Sequence, residues 1–341
     1  MPPPTQLYAV DRAGSISVFD PLTLGSPSGW SSNFLPPYPG GALGAIGYDT
    51  TSNFIHLSGI PGGAGSYLYP VTPIFSGGLY ALGGAANPAK MPDETFMTNQ
   101  LAIDGPGQRL FVADDRRMLT AWSTTGATFT QLTGSPYYPS NGPIKAQGVA
   151  YKASANRVYV CCQNSAGQDQ VVVYNAATAP MTPIAGSPFN VTLGLNQSFG
   201  SMAIDTVNDR LLITCSLGLV VLNATTLAPI AGSPFATGGT DPRSLVIDTV
   251  QSRVYIANYG SDNVAALTLS TLAPIAGSPY AVGHSPGSLA FSSVANRLYV
   301  SCFGSNPGGI NVFNPTTAPM TQIVGSPFYS GNTFSRLTVG P

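Results

Sequence analysis

The chain has 341 residues, of which only 8% are charged, with a formal net charge of −1 and 39 glycines and 31 prolines. That balance excludes a basic face for nucleic acid and an acidic tail for a basic partner. Glutamate occurs once, at Glu94, and histidine twice, at His56 and His284, which narrows acid–base and metal chemistry from the start.

The first ten residues, MPPPTQLYAV, carry neither a basic segment nor an apolar core of a secretory signal. No run reaches 18 apolar residues, so no membrane span is expected. A surface rich in Ser, Thr, Gly and Asn points to an extracytoplasmic or cell-surface protein whose signal was removed; the alternative is cytoplasmic.

Along the chain, short apolar runs alternate with turn residues, the pattern of an all-β protein. One set aligns as QLYAVD (Gln6–Asp11), NFIHLS (Asn53–Ser58), RLFVAD (Arg109–Asp114), RVYVCC (Arg157–Cys162), RLLITC (Arg210–Cys215), RVYIAN (Arg253–Asn258) and RLYVSC (Arg297–Cys302). These runs are apolar on both faces, as strands sandwiched between neighbouring sheets must be. Each of the last six follows another short strand: Ala45–Asp49, Gln100–Asp104, Gly148–Tyr151, Ser201–Asp205, Ser244–Asp248 and Ser288–Phe291.

A Gly-Ser-Pro-aromatic signature closes the units, starting at Gly134, Gly186, Gly232, Gly277 and Gly325, with a partial copy at Gly25 and a worn one near Phe75. The spacing is that of propeller blades, and seven signatures predict a seven-bladed β-propeller with four-stranded blades. Nothing before Gln6 can supply the first strand of blade one. Arg336–Val339 follows the last signature with nothing after it to build on, so the ring is expected to close by pairing the two ends. The whole chain then reads as one domain, 1–341, with blade one made of about residues 6–27 plus 335–341. Prolines 188, 234 and 279 fit outermost strands, where a missing ladder donor is tolerated.

The blade pattern, seen in Pro242–Asp248 with Arg253–Asn258 and in Pro286–Phe291 with Arg297–Cys302, resembles the YVTN-type surface-protein repeats and the related lactonase-like seven-bladed propellers of bacteria. The resemblance implies a bacterial or archaeal surface setting and a top face that binds something. The clustered Glu, His and Arg of the lactonase members are not matched here.

Several residue columns invite a functional reading. The arginines that open the second strands (Arg109, Arg157, Arg210, Arg253, Arg297) follow an Asp in several units and read as hairpin braces rather than as anion ligands. Cys162, Cys215 and Cys302 share a column with Asp11, Ser58, Asp114 and Asn258. Blade-to-blade separations exceed disulfide reach, and Cys161 and Cys162 point to opposite faces, so free, half-buried thiols are expected. No zinc-ligand spacing occurs. His56 aligns with Ala9, Val112, Val160, Ile213, Ile256 and Val300 and reads as a packed, hydrogen-bonded core histidine.

The variable loops share one face, where the second strands end and the first strands begin, so ligand binding is expected there. The channel mouth would be lined by Gly44, Asn99, Gln147, Gly200, Arg243, Gly287 and Ser335, with Gln100 and Arg336 adjacent and Asp11, Asp114 and Asn258 at second-strand ends. This polar lining suits a small polar or anionic ligand.

No cofactor is expected, apart from room for a divalent ion at the mouth. The missing nucleophile motifs favour a non-catalytic binding or scaffold module, poised for self-association by its low charge. Two alternatives stay open. One is a lactonase-like hydrolase in which Arg243 binds an anion, His284 acts as general base, and Asp11 or Asp114 orients it or binds a divalent ion. The other is a glycan-binding propeller using Trp30, Phe34, Tyr38, Tyr137 and Tyr138.

Overall fold

The computed structural model describes residues 6–11, 16–25, 42–60, 67–76, 79–83, 89–90, 98–114, 119–125, 129–138, 145–192, 200–304, 309–329 and 334–340. They form an all-β propeller whose one helical element is a single 3₁₀ turn, Ala153–Ala155. Every strand pair in the sheets is antiparallel.

Sheet two opens with Ala42–Asp49, Phe54–Ile60, Tyr67–Ser76 and Leu79–Gly83; sheet three holds Thr98–Asp104, Arg109–Asp114, Leu119–Ser123 and Thr130–Gln131. Sheet four runs Lys145–Lys152, Arg157–Gln163, Asp169–Asn175 and Thr182–Pro183, and sheet five Met202–Asp205, Arg210–Cys215 and Gly218–Asn223. Sheet six contains Pro242–Asp248, Arg253–Asn258, Asn263–Thr268 and Tyr280–Ala281, and sheet seven Pro286–Ser292, Arg297–Cys302, Gly309–Asn314 and Thr321–Gln322. Sheet one is composite: Gln6–Asp11 pairs with Ile16–Phe19 on one side and with Phe334–Gly340 on the other. The expectation of seven blades therefore comes out as six built from continuous stretches plus one three-stranded sheet made from both ends.

The innermost strands neighbour one another in a closed cycle, from Phe334–Gly340 through those of sheets two to seven and back. The core lies between sheets rather than at one centre. Tyr159, Cys161, Val171 and Val173 of sheet four pack on Leu211, Ile213, Val220 and Leu222 of sheet five, and Leu7, Ala9 and Leu337 of sheet one pack on Tyr299, Ile310 and Val312 of sheet seven. The second strand Gln6–Asp11 is buried at every position, and Arg157–Gln163, Arg210–Cys215, Arg253–Asn258 and Arg297–Cys302 at all but their ends, because each is covered on both faces.

The Gly-Ser-Pro-aromatic signature is a turn that stands in for most of an outer strand. Its glycine has positive φ, +84° at Gly134 and +89° at Gly325, and its Ser–Pro bond is cis in all five full copies. The serine hydroxyl then accepts a backbone N–H of the third strand: Ser135 from Ala121, Ser187 from Val173, Ser233 from Val221, Ser278 from Ala266 and Ser326 from Val312, all at 2.9–3.0 Å. Buried backbone donors must find acceptors, and here a side chain replaces a ladder partner. The proline thus belongs to a cis turn, not to a continuous edge strand.

The arginine column corrects the brace reading. Only Arg109 is paired with the aspartate of its own hairpin, Asp104, among the described residues. Two others reach forward to the next sheet: Arg210 donates to the Leu269 and Ser270 carbonyls at 2.9 and 3.0 Å, and Arg253 to those of Pro315 and Thr317 at 2.5 and 3.2 Å, while Arg297 donates to the adjacent Asn296 carbonyl at 2.9 Å. Arg109 itself also reaches Ala176, Tyr151 and Asn156 of sheet four. The hairpin aspartates instead cap their own turns, as where Asp248 accepts the Val250 and Gln251 N–H groups, both at 2.9 Å.

His56 also moves column. Asp49 is opposite Phe54, as Asp248 is opposite Arg253. His56 therefore occupies the position of Tyr8, Phe111, Tyr159, Tyr255 and Tyr299, one residue from the alignment expected. The physical cause is Asn53, whose φ of +59° matches Gln108, Asn156, Asp209, Ser252 and Asn296, the left-handed residues that precede each arginine. His56 is buried, as expected, but neither ring nitrogen makes the expected hydrogen bond, its Nε2 lying 3.7 Å from the Asp49 carboxylate. All four cysteines are free, and they are fully buried rather than half-buried.

Candidate functional site at the channel mouth

The mouth is built by β-bulges. The inner strands skip register between Leu43 and Ile46, Thr98 and Gln100, Ala146 and Gly148, Pro242 and Ser244, Pro286 and Ser288, and opposite Val10/Asp11, where Phe334 and Arg336 flank the skip. The extra residues include Gly44, Asn99, Gln147, Arg243, Gly287 and Ser335, which are the channel-facing positions expected from sequence. A bulge re-aims its side chain and releases it from the sheet's alternation.

Side chains next to the bulges satisfy the free edges of the inner strands. Gln100 accepts the Met202 and Val149 N–H groups at 2.9 and 3.2 Å and donates to the Met202 carbonyl at 2.8 Å, so one residue of sheet three ties sheets four and five. Ser244 accepts from Leu289, Ser288 from Leu337, and Arg336 donates to the Gly44 carbonyl at 2.7 Å. Edge donors and acceptors that would otherwise face the channel are thereby paired.

Arg243 is fixed on two sides. Its Nε and Nη2 donate to one Asp241 carboxylate oxygen at 2.9 and 2.7 Å, and its guanidinium lies 3.5 Å from the centre of the Tyr259 ring. Burial, and then the charge of Arg243, pushes the pKa of Arg336 down.

His284 is exposed on the same face, its Nδ1 at 2.9 and 3.0 Å from the two carboxylate oxygens of Asp262. Asp262 also accepts the Ser285 N–H at 2.8 Å, and that bond, followed by His284, holds its carboxyl below the usual range. Asp262 is thus the carboxylate that orients His284, in place of Asp11 or Asp114. Asp11 is buried at the end of its strand. The side chains of Asn99 and Asp114 lie outside the described residues. Gln147 is buried. Asn258 is buried too, with its amide nitrogen donating to the Thr237 carbonyl and to Asn263 at 3.1 and 2.7 Å, a role in holding the incoming loop.

Tyr259 and Asp262, which sequence reasoning passed over, sit on one turn between the second and third strands of sheet six. The incoming loops ladder onto such turns: Tyr259 N–H donates to Asp241 and Gly260 N–H to Thr240, while Phe303 and Gly304 do the same to Ser285 and His284. Their aromatic-Gly-Ser-Asp spelling was the available signal.

Of the glycan candidates, Tyr137 is not a rim aromatic. It is buried, its hydroxyl donating to the Thr133 carbonyl and accepting the Met181 N–H. Tyr138 is exposed, and Trp30, Phe34 and Tyr38 lie outside the described residues. No cluster of three His, Cys, Asp or Glu suited to a metal occurs among the described residues, and no described helix is long and apolar enough to cross a membrane.

No family model and no curated protein matches the sequence. Solved structures match over nearly its whole length. A "putative 6-phosphogluconolactonase" from Bacteroides fragilis aligns with a TM-score of 0.74 at 13% identity, covering 99% of this chain and 98% of its own. A protein from Lactobacillus plantarum gives 0.73 at 11%, covering 99% of both chains, and a "putative 6-phosphogluconolactonase" from Bacteroides uniformis gives 0.72 at 10%, covering 98% of this chain and 99% of its own. At these identities the likeness establishes the fold alone, a β-propeller.

Proposed function

We propose that the chain is one seven-bladed propeller domain that binds a small anionic ligand at the channel mouth. Support for the blade count is the closed cycle of inner strands, in which Phe334–Gly340 takes its place between sheets seven and two. The observation that carries the binding reading is Arg243, bulged into the mouth and held by Asp241 and Tyr259. A guanidinium fixed at the mouth favours an anionic group beside it. A scaffold role has no support in the fold or the comparisons. The Ser, Thr, Gly and Asn-rich composition supports an extracytoplasmic setting. Calorimetric titration with phosphorylated and carboxylated sugars tests the binding: Arg243→Ala should abolish the heat of any ligand found, and unaltered affinity overturns the assignment.

The second reading is hydrolysis of a lactone. Its specific support is the Asp262–His284 pair, in which a carboxylate at Nδ1 fixes the tautomer that presents a basic Nε2 to a water molecule. The fold neighbours named for a lactonase add weight to it. A lactone panel assayed with wild type, His284→Ala and Arg243→Ala decides: turnover that neither substitution lowers removes this reading.

A further inference from the structure

The turn Tyr259–Asp262 touches both residues invoked above, from opposite sides. Tyr259 lies under Arg243, which comes from the loop entering its own sheet. Asp262, three residues on, holds His284, which comes from the loop entering the next sheet. The turn is itself anchored. Its Tyr259 and Gly260 N–H groups are bonded to Asp241 and Thr240, Ser261 accepts the Thr240 N–H at 2.7 Å, and Ser261 N–H returns to Asn258. A Cβ on Gly260 would come within 2.7 Å of the Thr240 hydroxyl, so the loop lies directly against the turn.

We propose that this turn is the positioning element of the mouth, and that it makes Arg243 and His284 a two-pronged receptor. The proposal rests on the anion-binding reading and deepens it. It names the ligand class as a molecule carrying an anionic group for Arg243 and, at a fixed distance, a hydroxyl or carbonyl oxygen for His284. Tyr259 acts by cation–π contact and Asp262 by fixing the imidazole; both work through another residue and are positioning residues. Sheet six supplies the turn and the arginine, and sheet seven supplies the histidine, so the receptor also spans a blade boundary. Sites that must discriminate by geometry need such supporting groups around the residues that touch ligand.

The test uses the full chain and two probes, inorganic phosphate and glycerol 3-phosphate, with His284 followed by its imidazole NMR signals. In Asp262→Asn the imidazole loses the carboxylate at its Nδ1, so its ring-nitrogen signals should change as the fixed tautomer is lost. That variant should weaken glycerol 3-phosphate while leaving inorganic phosphate unchanged. Tyr259→Leu should weaken both probes by about fivefold, the scale of one cation–π contact, and Tyr259→Phe should restore them. Ring-nitrogen signals of His284 unmoved by Asp262→Asn, or equal binding by the Leu and Phe variants, overturn the proposal. If neither probe binds the wild type, the anion-binding reading fails and the receptor with it. The ring-nitrogen signals still report separately whether Asp262 sets the imidazole.

Discussion

The Tyr299 hydroxyl donates to the Pro21 carbonyl across 2.5 Å, joining residues 278 apart in sequence and sealing sheet seven to sheet one. Burial pushes the phenol's pKa up, so it stays a donor at every ordinary pH. Tyr159 makes the same forward bond to Ala224 at 2.6 Å. Tyr299→Phe leaves a buried carbonyl unpaired and should cost about 1–2 kcal/mol in chemical denaturation. An unchanged midpoint would show that water replaces the phenol.

Closure by strand exchange predicts a larger loss. Removing Phe334–Pro341 strips Gln6–Asp11 of its inner partner and takes Leu337 and Val339 away from Leu7 and Ala9. The cost should be on the order of 5 kcal/mol, combining a lost ladder with a lost Leu and Val. A truncated chain that melts with the full one contradicts the exchange.

Arg253 offers a way to separate staple from ion pair. It donates to the Pro315 and Thr317 carbonyls of the next sheet, and Asp248 is satisfied by its own turn and by Tyr255. Arg253→Lys keeps the charge but loses the forked reach, and should destabilise by about 1–2 kcal/mol. The loss should be the same in low and high salt, because the acceptors are neutral. A loss that vanishes in 1 M salt would restore the ion-pair brace.

Much of this architecture was legible in the sequence because the chain repeats it. Apolar runs on both faces marked the second strands, and the unsupported Arg336–Val339 segment marked the closure. The bulge positions at Asn99, Gln147 and Arg243 were also readable, as the residues just ahead of each inner strand. What alignment missed was direction. Arg210 and Arg253 could be paired with the aspartates beside them in sequence, but a turn aspartate spends its oxygens on the turn's own N–H groups, and the arginine is left for the next sheet. Composition also hid a second pattern. Where the signature ends in Tyr, at Tyr137 and Tyr280, the next sheet carries Ala-Pro-Met, whose Met181 or Met320 N–H the phenol accepts at 3.1 or 3.0 Å. Where it ends in Phe, at Phe189, Phe235 and Phe328, the next sheet instead has a leucine at positive φ, Leu227, Leu272 or Leu24. Tyr259 and Asp262 were missed for a different reason: among the described residues their aromatic-Gly turn recurs only at Phe303–Gly304, too few copies for a column to draw attention to them.

The slipped column at His56 yields a prediction about acid stability. Proximity to the His56 imidazole is the largest influence holding the Asp49 carboxyl well below the ordinary 3.8, with the Ser52 hydroxyl and Thr51 N–H adding to it against the cost of burial. A depressed carboxylate contributes stability that is fully present above its unfolded pKa and is lost as pH falls through its folded one. The wild type should therefore keep this contribution at pH 5 and shed it progressively below about pH 4. His56→Leu removes the imidazole, raises the Asp49 pKa toward its unfolded value and should move the acid-unfolding midpoint upward. The same substitution should lower stability at pH 7 by the share of this contribution that His56 supplies, the Ser52 and Thr51 bonds keeping the rest, so both arms of the pH curve report it. An acid midpoint that stays put while neutral stability falls would mean that His56 acts on packing against Phe129, 5.4 Å away between ring centres, and not on Asp49.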